Sequence, residues 1–394
     1  MHFTIIGIDD NRHQEFPSRI REILASHAIY SGGKRHHDIV REWLPANHQW
    51  IDITASLHEV FRQYEQHRDI VVFASGDPLF YGFANTIRKR LPDACVRLFP
   101  AFNSLQTLAH RLLLPYHDMH VVSLTGRPWH EFDRALIEGR EKIGILTDRQ
   151  HTPDTIASRM IDYGYDNYEM HVGEELGNEE TETVRTLPIG EATTTAFRSP
   201  NCLILQRTKI KPRPFGIPES EFELLDGRVN MITKMPVRLL TLSRLDLHQR
   251  HTFWDIGFCT GSVSIEAKLQ FPHLHVVAFE QRPEGADLIR ANAARFGTPG
   301  ITALVGDFTR LDLADLPAPD AVFIGGHGGK MDEIIRRVNE HLLPGGIIVF
   351  NSVSAESRKL FARGIERHGL TLADSHRLTV DNHNPIEIMK AQKQ

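Results

Sequence analysis

Apolar residues fall in short runs that stop at turns rich in Gly, Asp or Pro. Phe3–Ile8, Ile70–Ala74, Thr252–Ile256, His275–Phe279, Ile301–Val305, Ala321–Ile324 and Ile347–Asn351 are of this kind. Each is an apolar, strand-like run that ends at a turn. Between them lie stretches of helical period. In the first half these are Pro17–Ser26, Ser56–His67, Leu105–Leu113 and Pro153–Tyr163. In the second they are a helix reaching Leu245, Pro283–Phe296, Met331–Leu342 and one ending at His368. Shorter strands are expected at Ala28–Tyr30, Val96–Phe99, Met119–Leu124 and Lys142–Leu146, with a small mixed sheet from Tyr168–Val172 and Asn201–Gln206. Two final runs, Leu370–Leu378 and Pro385–Lys390, leave room for an antiparallel edge hairpin. The alternation of strand and helix predicts an α/β architecture throughout.

One segment breaks the alternation. Lys211-Pro212-Arg213-Pro214-Phe215-Gly216-Ile217-Pro218 is extended and stiff by composition. It divides the chain into a domain over 1–209, a linker over 210–228 and a domain over 229–394, and the total length of 394 residues suits two such domains.

Charge and cysteine content narrow the partners. The 45 Lys and Arg against 50 Asp and Glu form no basic block, which argues against nucleic acid or an anionic membrane surface. Three cysteines without a CxxC pair, and histidines without HExxH, predict no metal site and a reducing compartment. No apolar run approaches the ~18 residues of a membrane span, and Met1–Gly7 reads as a strand rather than a leader. A cytoplasmic protein is expected.

The chemistry gathers at strand ends. Trp254-Asp255-Ile256-Gly257-Phe258-Cys259-Thr260-Gly261-Ser262 is a strand, a glycine turn and a helix start, an arrangement that offers backbone N–H groups to an anion. Thr260 and Ser262 are expected to cap that helix. Glu280 ends the next strand and suits a ribose diol. Asp307 and Gly325-Gly326 end later strands, and Asp307 could address an adenine edge. All four features should share one rim of a parallel sheet. In the first half, Ser75-Gly76-Asp77-Pro78 follows a strand, with Asp77 expected as a helix N-cap. Gly32-Gly33-Lys34-Arg35-His36 reads as a basic turn.

A nicotinamide dinucleotide and S-adenosylmethionine both suit such a rim. The turn lacks the third, helix-packing glycine of the dinucleotide fingerprint, and the terminal hairpin favours S-adenosylmethionine. The alternatives are a class I methyltransferase acting on nucleic acid and an NAD-dependent oxidoreductase with a regulatory N-terminal domain. Against the former, Ile324-Gly325-Gly326-His327 stands where a base-amine methylator carries Asn/Asp-Pro-Pro-aromatic.

The glycine turn, Gly306-Asp307, Phe323 to Gly329 and Ile232-Thr233-Lys234 resemble the decarboxylating precorrin methyltransferases, a class I, Rossmann-like family. Ser75 to Gly82, Gly32 to His36 and Val122 to Arg127 resemble the tetrapyrrole methylases, a class III methyltransferase fold. Their order is that of the fused C5,15-methyltransferases (decarboxylating) that act on precorrin-6Y. The resemblance implies two methyl transfers, at C5 by the first domain and at C15 by the second, with loss of carbon dioxide from the C12 acetate, in cobalamin biosynthesis. It implies two S-adenosylmethionine sites per chain and a homo-oligomer. The cofactor positions it implies are Ile8, Asp77, Phe80, Ser104 and Leu105, then Thr233, Gly257, Phe258, Cys259, Thr260, Gly261, Glu280 and Phe308. Substrate carboxylates would meet Arg35, His36, Arg127, Lys234, Arg238 and His327. Cys259 stands where the family's turn has glycine, Asp9-Asp10-Asn11 where it has Gly-Pro-Gly, and His327 where it has a small residue. A bulky side chain at Gly261 is expected to block the cofactor.

Overall fold

The computed structural model describes residues 1–53, 56–228, 230–380 and 385–394. It forms two compact units. One is Met1–Arg127, Glu141–Ser158 and Asn167–Thr208; the other is Pro128–Arg140, Arg159–Asp166 and Lys209–Gln394. Residue 229, the expected start of the second domain, lies outside the described residues.

The first unit holds two sheets. The first is wholly parallel: β1 (His2–Ile8), β2 (Ile29–Gly32), β3 (Gln49–Asp52), β4 (Asp69–Ser75) and β5 (Cys95–Phe99), in the order β3-β2-β4-β1-β5. Alternate residues feed two cores. Phe3, Ile5, Ile70 and Val72 face one side, and Ile6, Ile8, Val71 and Phe73 the other. The second sheet is mixed: β6 (His120–Ser123), β7 (Lys142–Leu146), β8 (Tyr168–Glu174), β9 (Thr183–Pro188) and β10 (Asn201–Arg207), in the order β6-β7-β10-β8-β9.

Several elements were not legible in the pattern, among them β9, the short helix Ile189–Ala192 and three others. The basic run Lys34–Val40 is a helix, not a turn; it buries only Ile39 and Val40, too few to show a period. β3 is an edge strand of four residues. His130–Ile137 is a helix of eight. Asp77 does not cap a helix. Its carboxylate accepts from the Leu79 N–H at 2.8 Å, Tyr81 takes φ +54°, and the helix Phe83–Arg90 starts later, with Gly82 as its N-cap.

The second unit is built on β11 (Thr252–Ile256), β12 (His275–Glu280), β13 (Ile301–Val305), β14 (Ala321–Ile324), β15 (Ile347–Ser352), β16 (Thr371–Leu378) and β17 (Ile386–Gln392). Their order is β13-β12-β11-β14-β15-β17-β16, parallel except for β17, which runs against both its neighbours. Trp254, Val277, Val322 and Ile348 pack on one face, and Phe253, Val276, Ala321 and Ile347 on the other. The strand order reverses between β11 and β14, which opens a crevice at their carboxyl ends.

The proline-rich segment is pinned along this unit. Gly216 N–H donates to Glu266 Oε1 at 2.5 Å, Gln270 Nε2 donates to the Pro214 carbonyl, and Ile217 is buried. Helix Ser262–Gln270 is capped by Gly261 at φ +75°, not by Thr260 or Ser262. Ser264 turns inward instead and donates its N–H and hydroxyl to Asp255 Oδ2, at 3.1 and 2.6 Å.

Candidate functional site

Backbone hydrogen bonds tie the strand tips of the second unit together. Gly257 N–H donates to Phe279 O, Gly306 N–H to Glu280 O and Gly325 N–H to Ile256 O, at 2.7, 2.8 and 2.8 Å. The loops after β11 and β14 then approach as bare backbone: a Cβ on Gly257 would lie 2.7 Å from Gly326 N. Between the tips of β11, β12, β13 and β14 is a cavity of about 700 Å³, a volume suited to a cofactor-sized ligand.

Glu280 supplies the buried charge of this cavity. Its Oε2 accepts from Cys259 N–H at 2.9 Å, and its Oε1 from the N–H of Arg282 at 3.1 Å and from Arg282 Nη1 at 3.3 Å. Asp307 is oriented by Thr309, whose N–H and hydroxyl donate to Oδ1 at 3.0 and 2.7 Å, and by Lys330 Nζ, 2.5 Å from Oδ2. The bond from Lys330, then that from Thr309, brings the Asp307 carboxyl down to about 2. His327 Nδ1 accepts from Gly329 N–H at 3.2 Å, and burial lowers the imidazole below its ordinary range.

Of the expected second-half residues, Thr233, Lys234, Gly257, Phe258, Cys259, Glu280, Phe308 and His327 line this cavity, and Thr260, Gly261 and Arg238 do not. Thr260 is buried. A Cβ on Gly261 would meet Ile289 Cγ1 at 2.4 Å, so bulk there collides with a core side chain of helix Gly285–Phe296 rather than filling the cavity. Arg238 is fully buried; its guanidinium is taken up by Glu266 Oε2 at 2.5 Å, the Thr233 carbonyl at 2.7 Å and the Ile217 carbonyl. A side chain so committed is not open to a substrate carboxylate.

In the first unit the expected residues gather at the tips of three adjacent strands. Ile8 ends β1, Asp77 and Phe80 follow β4, and Ser104 and Leu105 open the helix after β5. Gly76 N–H donates to Ile8 O at 2.8 Å, and Ala101 N–H to Gly76 O at 3.2 Å. Ile8 and Leu105 have buried side chains, so their backbones are what a ligand can meet. Arg35 Nη1 pairs with the buried Asp10 at 3.3 Å, and Arg12 with the same oxygen at 3.3 Å. Burial raises the Asp10 carboxyl, against the pull of Arg35 and Arg12. Arg127 donates to Ser123 Oγ at 2.8 Å and lies over the Tyr81 ring at 5.1 Å.

Residues 15–193 match the tetrapyrrole (corrin/porphyrin) methylase family, and residues 225–394 match the precorrin methyltransferase domain. A precorrin-6Y C(5,15)-methyltransferase [decarboxylating] from Sinorhizobium sp is 30% identical over 99% of this chain and 93% of its own length. One from Mycobacterium tuberculosis is 26% identical over 93% of this chain and 90% of its own. The cobalt-precorrin-6B C(15)-methyltransferase (decarboxylating) of Salmonella typhimurium is 36% identical over 41% of this chain and 83% of its own. The chain belongs to the precorrin-6Y C(5,15)-methyltransferase (decarboxylating) family.

Membership decides among the three readings of the sequence: a precorrin-6Y C(5,15)-methyltransferase is an S-adenosylmethionine-dependent enzyme of cobalamin biosynthesis. It also covers both halves, as the motif order implied. Within this family member, sequence reasoning missed Gln281, Lys330 and Asn351, which line the cavity. Lys330 carried a signal, since it closes the loop Gly325-Gly326-His327-Gly328-Gly329; Gln281 and Asn351 carried none. Among the described residues no helix is long and apolar enough to cross a membrane, and no group of His, Cys, Asp and Glu could hold a metal ion.

Proposed function

We propose that each half holds one S-adenosylmethionine and that the halves divide the work on precorrin-6Y. The first methylates C5; the second methylates C15 and releases the C12 acetate carboxyl as carbon dioxide. The observation that carries this reading is the cavity at the tips of β11 to β14, which joins a buried carboxylate to bare glycine backbone. Those features fit an adenosyl group. Glu280 would take the ribose diol, the part of the turn from Gly257 to Cys259 would take the amino-acid end, and Asp307 the adenine edge. Thr233, Phe258, Cys259 and Phe308 would close the walls. In the first half, Ile8, Asp77, Phe80, Ser104 and Leu105 would do the same work.

When bound, the sulfonium supplies an electrophilic methyl group, and the macrocycle's enamine carbon supplies the electron pair. The protein's own task is alignment and exclusion of water, which can contribute several kcal/mol. Lys234 and His327 line the second cavity and would meet substrate carboxylates there; Arg35 and Arg127 would do so in the first half. Self-assembly into a homo-oligomer belongs to the same reading, and sedimentation tests it. Equilibrium dialysis with S-adenosylhomocysteine tests the division directly. Two sites per chain are expected, and a single site would overturn it.

A further inference from the structure

We propose that Ser75 is a hydrogen-bond donor to a carboxylate of the tetrapyrrole in the first half, its hydroxyl proton directed outward by Arg35 and His36. The inference rests on the reading that this half methylates C5.

The argument is an accounting of one oxygen. Arg35 Nη2 donates to Ser75 Oγ at 2.9 Å. His36 Nδ1 accepts the Gly33 N–H at 3.2 Å, so its lone pair lies on that nitrogen and the neutral ring carries its proton on Nε2. Nε2 is 3.0 Å from the same Ser75 Oγ. A serine oxygen accepts two hydrogen bonds and donates one. With both lone pairs filled, its own proton points away from Arg35 and His36, and Ser75 is exposed. Burial, and then the Arg35 charge, lower His36 to about 4, which keeps the ring neutral, and the Gly33 N–H sets its tautomer. Asp10 holds Arg35 from the other side at 3.3 Å, so the cation behind the hydroxyl is fixed.

A hydroxyl backed by a fixed guanidinium prefers an anion. Two sources of carboxylate are available to this half, one group on the cofactor and several on the macrocycle. Ser75 ends β4 in register with Ile8, which ends β1, so it stands beside the cofactor positions, whereas Arg35 and His36 behind it follow β2, on the far side of β4 from β1 and β5. The macrocycle carries several carboxylates to the cofactor's one and is the partner proposed, and the S-adenosylhomocysteine isotherm separates the two sources. His36 itself is spent on Ser75 and Gly33 and serves as a positioning residue.

The test uses the full chain, precorrin-6Y and S-adenosylmethionine labelled with ¹³C in the methyl group, so that NMR reads C5 and C15 separately. Ser75→Ala should raise KM for the tetrapyrrole at C5 by about tenfold, the effect of losing one hydrogen bond to a charged group. Its kcat should change by less than about twofold, because a uniform binding contact is removed. Ser75→Thr should restore KM, and the S-adenosylhomocysteine isotherm should match wild type. An unchanged KM at C5 would overturn the role of Ser75. So would a weakened S-adenosylhomocysteine site with KM intact, since the carboxylate would then be the cofactor's. Loss of the C15 signal in place of C5 would overturn the underlying division of labour instead. Should Ser75→Ala not fold, Ser75→Cys carries the same expectation, because a thiol is a poor donor.

Discussion

The backbone N–H of Cys259 donates to Oε2 of Glu280 at 2.9 Å, so the turn after β11 and the tip of β12 share one buried carboxylate. Glu280 is thereby oriented before any ligand arrives. Glu280→Gln keeps the shape but removes the anionic acceptor, and a hydrogen bond to a charged group is worth roughly 1.5–3 kcal/mol. Of the two S-adenosylhomocysteine sites proposed, one should weaken by about 10- to 100-fold in calorimetry. C15 methylation and carbon dioxide release should fall while C5 methylation continues. Two unchanged isotherm phases would refute the assignment.

Cys259 sits at φ +50°, in the left-handed region where a side chain is strained. Such a residue costs on the order of 1–3 kcal/mol, while glycine gives back roughly 0.5–1 kcal/mol through the freedom of its unfolded chain. Cys259→Gly should therefore raise the unfolding free energy by about 1 kcal/mol. Cys259→Val, branched at Cβ, should lower it. Urea titration followed at the second unit checks both signs, and a destabilised glycine variant would count against the strain.

Arg238 and Glu266 form an ion pair with both side chains fully buried. Arg238→Met leaves Glu266 buried without its cation and with only the Gly216 N–H as a donor, a loss of about 3–5 kcal/mol. Replacing both, as Arg238→Met with Glu266→Met, should recover most of that loss, because paired desolvation disappears with the pair. The recovered fold should still bind S-adenosylhomocysteine more weakly. Arg238 also holds the carbonyl of Thr233, which lines the cavity, and nothing replaces that bond. A double-mutant cycle in stability, with calorimetry beside it, separates the two effects. Additive losses in stability would refute the first claim.

What the sequence disclosed follows from how much apolar surface each element buries. β11, β12, β14 and β15 are almost wholly buried and read as largely apolar runs. Lys34–Val40 and β3 bury too little to leave a period. Strand-tip residues were legible because turns demand Gly, Asp and Pro, yet residue type alone does not give a side chain's direction. Arg238 looks in sequence like any basic residue beside Lys234, but the helix Met235–Arg244 turns it inward onto Glu266. Gly261 looks like part of the cradle, but its missing Cβ makes room for Ile289.

Asp255 is buried within β11, and burial carries its carboxyl from the ordinary 3.8 up to about 7. The bonds from Ser264 act in the opposite direction, and the charge of Glu280 adds to the rise. The folded chain thus keeps a proton that the unfolded chain releases near pH 4. The stability linked to this group is fully present below about pH 4 and is lost as pH rises through about 7. Asp255→Asn retains an oxygen for the Ser264 N–H and carries no charge, so it should lack this slope. The difference between the two proteins should grow in favour of the variant by a few kcal/mol, as an order of magnitude, from pH 4 to pH 7.5. Hydrogen exchange at the β11 amides measures it, because opening of that strand reports on the second unit alone. Parallel pH profiles for wild type and variant would show that Asp255 is ionised in the fold throughout this range.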